Sequence, residues 1–216
     1  YKIASFEITD IPLIRAAAAT GKPVIISTGV ADEIDIELAI KTCFDAGNEQ
    51  LTLLKCTSNY PATLDDANLN TMVDMRSRFG VSVGLSDHTM GSIVPTAAAA
   101  LGATVIEKHF ILDRSLGGPD SGFSMEPDEF SDMVQSVRAV EKCLGVVDYS
   151  VSDNDKLRRR SLYAVQDIEK GEAFTTDNIR SLRTGYGIQP KHFDTLLNRA
   201  AKKAYKRGEP LRVTEL

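Results

Sequence analysis

Five apolar runs alternate with five amphipathic stretches before Gly145, and this alternation limits the possible folds more than any other feature. Each run is rich in Val, Ile and Leu, and residues with helical periodicity follow it. A strand and a helix recur about every 25–30 residues, which predicts a parallel sheet, either open or closed into a barrel. The predicted strands are 2–5, 23–28, 51–57, 83–87 and 105–110, and the predicted helices are 11–19, 32–46, 68–79, 93–101 and 128–144.

The alternation stops after Gly145, which divides the chain into parts. Residues 147–160 are polar and lack periodicity, as expected of a linker. Between residues 161 and 216, short strand-like runs and turns predict a small second domain. The motif "KGEAFT" from Lys170 recurs as "RGEPLRVT" from Arg207, which is compatible with a pseudo-twofold repeat. Residues 1–146 form the predicted α/β domain.

The composition narrows the possible functions. The net charge of −5 argues against a nucleic-acid partner, because binding a phosphate backbone needs a basic surface. No apolar run approaches the roughly 20 residues that a membrane span needs, and no signal peptide is recognisable. Cys43, Cys56 and Cys143 are widely spaced, which is typical of reduced thiols rather than disulfides or a zinc site. We expect a cytoplasmic protein.

Polar side chains follow every predicted strand of the first domain. The carboxyl ends of parallel strands meet at one face, where binding sites are built. A single Ser at a strand end is more often a helix cap, and a single His is more often a structural group. Because all five strand ends carry hydroxyl or ionisable side chains, together they predict a site for an anionic substrate. The residues are Lys2, Ser5, Glu7, Ser27, Thr28, Lys55, Thr57, Ser58, Asn59, Tyr60, Ser86, Asp87, His88, Thr89, Glu107, Lys108 and His109.

His88 and His109 end neighbouring predicted strands, so their imidazole rings could meet. Two imidazoles with water and substrate oxygens suit Mn²⁺, Co²⁺ or Zn²⁺, and such an ion would act as a Lewis acid on a carbonyl group. Two hydrogen-bonding histidines near the surface are the alternative. His192, in the second domain, is predicted to be a surface residue.

The run "VIEKHF" from Val105 places Glu107, Lys108 and His109 among apolar residues, where burial is costly unless each charge is paired or bound. Successive residues of a strand face opposite sides of the sheet. Glu107 and His109 are therefore predicted to face the site, where the carboxylate could orient the histidine. Lys108 is predicted to face the helix layer or the rim.

Several motifs resemble the sialic acid synthase family, whose members make nonulosonic acids. They occur in order along nearly the whole chain: "YKIASFE", "KPVIISTG", "LLKCTSNYPA", "GLSDHTMGS", "IEKHFILDR", "GPDSGFSMEP" and "RRSLYAVQDIEKGEAFTTDNI". The resemblance implies an α/β fold made of the C-terminal five βα units of a (β/α)8 TIM barrel. A small antifreeze-like (SAF) domain would follow it.

The resemblance also implies an activity, the condensation of phosphoenolpyruvate with an amino sugar and the release of phosphate. Within the family, "YKIASFE", "KCTSNYP" and "GPDSGFSMEP" are most similar to pseudaminic acid synthases, which use 2,4-diacetamido-2,4,6-trideoxy-L-altrose. N-acetylneuraminate and legionaminate synthases are the alternatives. The family further implies a domain-swapped homodimer for the full-length protein.

Two groups of residues match ligand positions of the family. His88 and His109 match its metal ligands, with Mn²⁺ the expected ion and Mg²⁺ or Co²⁺ the alternatives. Ser58 stands where sialic acid synthases carry Asn. The residues that the resemblance assigns to the phosphate and carboxylate of phosphoenolpyruvate are Lys2, Ser5, Ser27 and Ser86. Ser58 is predicted to bind substrate as well.

Catalytic roles around the reacting sugar are implied for Glu7, Tyr60 and Asp120, with the two carboxylates positioning hydroxyl groups, water and protons. Arg183 in "SLRTGYG" matches an SAF-domain Arg that reaches into the partner subunit's site and contacts an acyl group on the sugar. The family more often has "RPG" where this sequence has "RTG".

The chain departs from the family in the number of strands. A TIM barrel has eight strands and about 250 residues, whereas five strands are predicted here. The family's first three strands lie upstream of "YKIAS", so two parallel edges would be open, which is an aggregation liability. We expect little or no synthase activity from these 216 residues alone.

Three other functions are compatible with parts of the sequence. A different phosphoenolpyruvate-dependent synthase or metal aldolase on a similar barrel would lack the SAF segment. An ice-binding module would need a flat, fairly apolar surface, whereas this segment carries many charged residues. An inactive fragment that only binds or dimerises with intact copies is also compatible.

Overall fold

The computed structural model describes residues 1–183 and 185–216 and divides into two compact units, 1–146 and 147–216. The first unit is a five-stranded parallel sheet in chain order, with one helix after each strand. Its strands are β1 (Lys2–Ile3), β2 (Val24–Ser27), β3 (Leu51–Cys56), β4 (Ser82–Asp87) and β5 (Ile106–Lys108). Its helices are α1 (Ile11–Ala18), α2 (Glu33–Asp45), α3 (Asn70–Phe79), α4 (Ile93–Ala100) and α5 (Pro127–Leu144).

The two faces of the sheet carry different residues. Ile26, Leu53 and Leu85 pack with the helices in the buried core. Alternation along each strand turns their neighbours to the opposite face. On that face, Lys2 Nζ of one edge strand lies 3.4 Å from Glu107 Oε1 of the other edge strand. The sheet is therefore curled into a half-barrel, which confirms the predicted fold class.

Local sequence sets the ends of the helices. The Asp32 carboxylate accepts a hydrogen bond from Asp35 N at 2.9 Å, so the residue caps α2 as predicted. Gly80 ends α3 with a φ of 65°, a left-handed conformation that side chains disfavour. Because Gly80 ends α3 sharply, the chain enters β4 at Ser82 after a short connection.

The apolar stripe of α5 is only partly covered; it consists of Phe130, Met133, Val134, Val137 and Val140. Met133 is buried, whereas Val134 is 39% exposed. The helix packs against α4 and leaves a groove of about 170 Å³ beside Ile106, because β5 is an edge strand of the described sheet. Within the described residues, no helix combines the length and the apolar character needed to cross a membrane.

The second unit is built on the antiparallel strands β6 (Ser161–Ala164) and β7 (Ile179–Leu182). It also contains the short helices α6 (Asp153–Lys156) and α7 (Phe193–Leu196), and α6 lies in the segment predicted as a linker. This unit has its own core. The core consists of Leu162, Ala164, Ile168, Phe174, Ile179, Ile188, Leu196, Ala201, Tyr205 and Leu211.

The two Gly-Glu motifs of the second unit form the same turn. Gly171 has a φ of 90° and Gly208 a φ of 92°, the left-handed region that favours glycine. The carboxylates of Glu172 and Glu209 each accept a hydrogen bond from the amide three residues earlier, at 2.8 and 3.3 Å. The repeat in the sequence therefore corresponds to a repeated turn in the structure.

Gly84 on β4 faces the concave side. The methyl group of an alanine at this position would lie 2.3 Å from the Val105 carbonyl oxygen. This oxygen belongs to the pairing of β4 with the next strand, so it cannot move freely. We expect Gly84→Ala to lower the free energy of unfolding by about 2 kcal/mol or more, measured by urea denaturation. The control is Gly122→Ala, whose methyl group would meet nothing within 4 Å. An equal loss in both variants would contradict this explanation.

Tyr205 holds the C-terminal segment of the second unit. It is buried, and its hydroxyl donates to Glu215 Oε1 at 2.9 Å and accepts a hydrogen bond from Arg212 N at 3.2 Å. Glu215 is also buried. Burial raises the pKa of Tyr205 to about 12, because a buried phenolate is disfavoured, and the hydrogen bond to the Glu215 carboxylate acts in the same direction.

Tyr205→Phe should lower the free energy of unfolding by about 1–3 kcal/mol at neutral pH, because Glu215 loses a buried partner. The contribution of the phenol is complete below its ordinary pKa of 10.0 and is lost as the pH rises towards about 12, since the unfolded chain ionises first. Denaturation curves of the two proteins between about pH 8 and 12 should therefore converge at high pH. A difference that stays constant would show that Tyr205 does not titrate in this way.

Candidate active site

Several of the polar residues predicted at the strand ends line one mouth of the half-barrel, whereas Lys55, Asp87 and Lys108 lie on the opposite face of their strands. β4 and β5 pair in register, with Ser86 opposite Glu107, so His88 and His109 leave the two strands side by side. Ser86 Oγ donates to Glu107 Oε1 at 2.7 Å. Lys2 reaches the same carboxylate from β1. The structure therefore brings these residues together.

The two imidazole rings lie close together, with centroids 5.1 Å apart and planes tilted by 59°. His88 Nδ1 lies 2.8 Å from the carbonyl oxygen of Thr57, and His109 Nδ1 lies 3.5 Å from Asp120 Oδ2. The Thr57 carbonyl, at hydrogen-bond distance, favours the His88 tautomer with its proton on Nδ1, and the more distant Asp120 carboxylate favours the same tautomer of His109 through its charge. In that tautomer a neutral ring has its lone pair on Nε2. Histidines that bind metals are oriented in this way.

Two aromatic side chains complete the wall around the histidines. The ring centroid of Tyr60 is 4.3 Å from that of His88, and the centroid of Phe123 is 5.0 Å from that of His109. Phe123 is buried, whereas Tyr60 is 45% exposed. Partial burial raises the pKa of Tyr60, so its phenol keeps its proton at neutral pH. The phenol can therefore donate a hydrogen bond at the edge of the site.

A second group of side chains can bind an anion. Lys2 Nζ is a cation on the concave face, and Ser5 Oγ accepts a hydrogen bond from Gly29 N at 3.0 Å. Ser27 is 2% exposed, and among the described residues its Oγ is the one buried side-chain oxygen or nitrogen without a hydrogen-bond partner. An unpaired buried hydroxyl is costly, so Ser27 Oγ can still take a further hydrogen-bond partner.

Cys56 also belongs to this cluster. Burial would raise the pKa of the thiol, but hydrogen bonds with His88, Ser5 and Ser86 outweigh it and lower the pKa of Cys56 to about 7. Burial would lower the pKa of His88, but hydrogen bonds with Cys56 and a backbone carbonyl raise it. Burial and the nearby His88 charge lower the pKa of His109. Its ring therefore stays neutral at neutral pH and has a lone pair that can bind a metal ion.

The other predicted residues are placed less centrally. Glu7 Oε2 accepts a hydrogen bond from Ala4 N at 2.8 Å, within the short turn after β1. Ser58 is half-buried, and its Oγ lies 3.9 Å from Cys56 Sγ. Arg183 is exposed in the second unit, and His192 is half-buried there. The roles predicted for Glu7, Ser58 and Arg183 stay predictions.

The histidine pair fits part of a metal site. Two rings bound to one ion through bonds of about 2.1 Å would have centroids about 5 Å apart, close to the separation of His88 and His109. The described residues contain no group of three or more His, Cys, Asp or Glu side chains that could hold an ion. His88 and His109 can therefore supply two of the ligands of a metal ion. The described residues supply no third His, Cys, Asp or Glu side chain for it.

A buried ion pair lies directly behind the histidines. Lys108 Nζ is 2.9 Å from Asp87 Oδ2, and the two side chains are 1% and 3% exposed. Lys108 also donates to the carbonyl oxygens of Thr89 and Gly91, while Thr89 N and Oγ1 donate to Asp87. Lys108 therefore faces the helix layer, as predicted, and the pair ties the end of β4 to β5.

Two residues of the cluster were missed by the sequence analysis. Phe123 lies in the loop between β5 and α5, where no periodicity indicates which way a side chain faces. Cys56 does have such a signal, because it alternates with Lys55 on β3 and shares a face with Leu54. Counting alternate positions from the apolar core would have placed Cys56 on the concave face.

Lys108→Met should lower the free energy of unfolding by about 3–5 kcal/mol, because Asp87 would be left charged and unpaired in the interior. Adding Asp87→Leu should recover most of this loss, since two apolar side chains then replace two charges. Lys41→Met is the control in urea denaturation, because its pair with Asp45 is exposed and should be worth less than about 1 kcal/mol. A loss no larger than that of the control would rule out a role for the buried pair.

The first unit is a parallel half-barrel with polar residues gathered at the carboxyl ends of its strands. These features place it in the class of α/β-barrel proteins. Residues 1–149 match the NeuB family, and residues 159–216 match the SAF domain. The chain belongs to the NeuB family. This finding confirms the family resemblance seen in the motifs.

The chain is 44% identical to the pseudaminic acid synthase of Helicobacter pylori, over 100% of this chain and 65% of that protein. It is 42% identical to the N,N'-diacetyllegionaminic acid synthase of Legionella pneumophila, over 91% of this chain and 57% of that protein. The crystal structure of N-acetylneuraminic acid synthetase from Leptospira borgpetersenii, in complex with citrate, is similar with a TM-score of 0.67 and 37% identity. That match covers 72% of this chain and 54% of the other. The chain thus spans less than two thirds of the length of these relatives.

Proposed function

We propose that the full-length protein carrying this chain is a phosphoenolpyruvate-dependent nonulosonate synthase, a transferase that joins phosphoenolpyruvate to an amino sugar. The main support is that His88 and His109 lie together at the mouth that also holds Lys2 and the Ser27 hydroxyl. Similarity to proteins named as synthases of pseudaminic, legionaminic and N-acetylneuraminic acids supports it.

The anionic substrate has suitable partners on the concave face. Phosphoenolpyruvate carries several negative charges, which the Lys2 ammonium and nearby hydroxyls can offset through charge-assisted hydrogen bonds. Lys2 and Ser86 both contact Glu107, so substrate oxygens would compete with this carboxylate for the same donors. Binding would be completed by Ser5, Ser27 and Ser58.

In the reaction, C3 of phosphoenolpyruvate attacks the aldehyde carbon of the open-chain sugar, water adds at C2, and phosphate leaves with cleavage of the C–O bond. A divalent ion held by His88 and His109, with Mn²⁺ our first choice, would supply polarisation of the aldehyde oxygen. Asp120 and Glu7 would position sugar hydroxyls and water and exchange protons with them. Tyr60 would donate a hydrogen bond to the sugar.

Pseudaminic acid is the product that we propose first, because 44% identity to a pseudaminic acid synthase extends over the whole chain. N,N'-diacetyllegionaminic acid is the second candidate, since a relative with that activity in its name is 42% identical. In a domain-swapped homodimer, Arg183 would contact an acyl group of the sugar bound by a second copy.

The test is phosphate release from phosphoenolpyruvate by the full-length protein with Mn²⁺. The sugars compared are 2,4-diacetamido-2,4,6-trideoxy-L-altrose, N-acetylmannosamine and the precursor of N,N'-diacetyllegionaminic acid, and we expect the altrose derivative to be preferred. Preference for another sugar overturns the specificity and leaves the reaction type standing. No release with any of the three contradicts the proposal. The 216-residue chain, whose sheet is open at β1 and β5, should show little or no turnover.

His109→Ala and Asp120→Asn should each lower kcat by about 10²–10⁴-fold, because His109 would help to hold the ion that polarises the aldehyde and Asp120 would position the sugar and exchange protons with it. His192→Gln, in the second unit, is the matched control and should leave kcat unchanged. Circular dichroism would show that all three variants fold. Wild-type turnover by Asp120→Asn would remove Asp120 from the mechanism.

A further inference from the structure

Asp120 and Phe123 reach the histidines from the loop between β5 and α5 rather than from a strand end. The end of this loop pairs with the sheet, since Met125 N donates to His109 O at 2.9 Å and Ile111 N donates to Met125 O at 3.0 Å. Asp120 precedes this pairing and lies beyond its reach. Other contacts must therefore hold its carboxylate beside the imidazole.

Ser124 links Asp120 to the base of the loop. Its backbone N and its Oγ both donate to the Asp120 carbonyl oxygen, at 3.1 and 2.8 Å. Ser124 is buried, and its own carbonyl oxygen accepts a hydrogen bond from Arg114 Nε at 3.0 Å. A continuous series of contacts therefore runs from Asp120 to Arg114.

Arg114 is held in turn by the start of α5. Its backbone N donates to Glu126 Oε1 at 2.8 Å, and its guanidinium forms an ion pair with Glu129 in the first turn of the helix. The guanidinium is a rigid planar fork, so one side chain can bind the loop carbonyl and the helix carboxylate together. The single flexible ammonium of Lys does not reproduce this geometry.

We propose that Arg114 is a positioning residue for the site. By joining the Ser124 carbonyl to Glu129, it holds the turn that places the Asp120 carboxylate against His109 Nδ1. This role rests on the proposed function for its effect on turnover. Its effect on the His109 ring does not depend on any reaction.

The direct test uses the full-length protein labelled with ¹⁵N-histidine. Long-range ¹H–¹⁵N spectra show which ring nitrogen carries the proton, and the signals are assigned with His88→Gln and His109→Gln. In Arg114→Met, we expect the His109 signal to change from mainly Nδ1–H to a mixture of both tautomers, as it should in Asp120→Ala. The His88 signal should not change, because a backbone carbonyl holds that ring.

Three further variants make the test specific. Arg138→Met removes an Arg of α5 that pairs with Glu141 at the surface, and it should leave both histidine signals unchanged. Glu129→Gln should move the His109 signal in the same direction as Arg114→Met but less far. Arg114→Lys should resemble Arg114→Met rather than restore the signal, since it keeps the charge and loses the fork. These milder variants carry the test if Arg114→Met does not fold.

Kinetics give the second readout. Arg114→Met should lower kcat by about tenfold or more while the KM for phosphoenolpyruvate stays within about twofold, because a misplaced group affects the reaction more than this binding step. An unchanged His109 signal, or equal changes at His88 and His109, would overturn the positioning role. If the spectra change as expected but the wild-type protein releases no phosphate, the proposed function fails and the positioning role stands.

Discussion

The site depends on the register of β4 and β5, and the buried pair of Lys108 and Asp87 links the two strands in that register. It joins β4 and β5 at their carboxyl ends, and the next residue along each strand is a histidine. A slip of one residue would turn His109 towards the helix layer and Lys108 into the mouth. Apolar side chains of the same volume could be as stable, but they would not select one register in this way. We therefore infer that the pair favours this alignment in addition to any effect on stability.

The curl of the sheet adds a second constraint, because it brings the two edge strands towards each other. Lys2 and Glu107 lie on the edge strands β1 and β5, yet their charged atoms are 3.4 Å apart. Ser86 donates to the same carboxylate, so the cation, the hydroxyl and the acid form one connected group beside the histidines. A flat sheet of the same sequence would separate these residues by the width of the intervening strands.

Much of this arrangement could be predicted from the sequence, because it follows from the period of two along each strand. The alternation predicted the sheet, the meeting of His88 with His109, and the direction of Lys108. Contacts that depend on the path of a loop could not be predicted in this way, and Phe123 and Arg114 are the examples. Helix periodicity identifies the apolar face of α5 but not the neighbour that would cover it, and Val134 on that face is 39% exposed.

The two histidines are oriented by partners of different kinds, and this difference has a consequence for function. The carbonyl oxygen of Thr57 is part of the backbone after β3, so the sheet itself sets the His88 ring. The partner of His109 is the Asp120 carboxylate, a half-exposed side chain that a sugar hydroxyl can also bind. A substrate that engages Asp120 would therefore act on the His109 ring as well, whereas His88 would stay fixed. The geometry of one ring is built into the fold, and the geometry of the other depends on how firmly the loop holds its carboxylate.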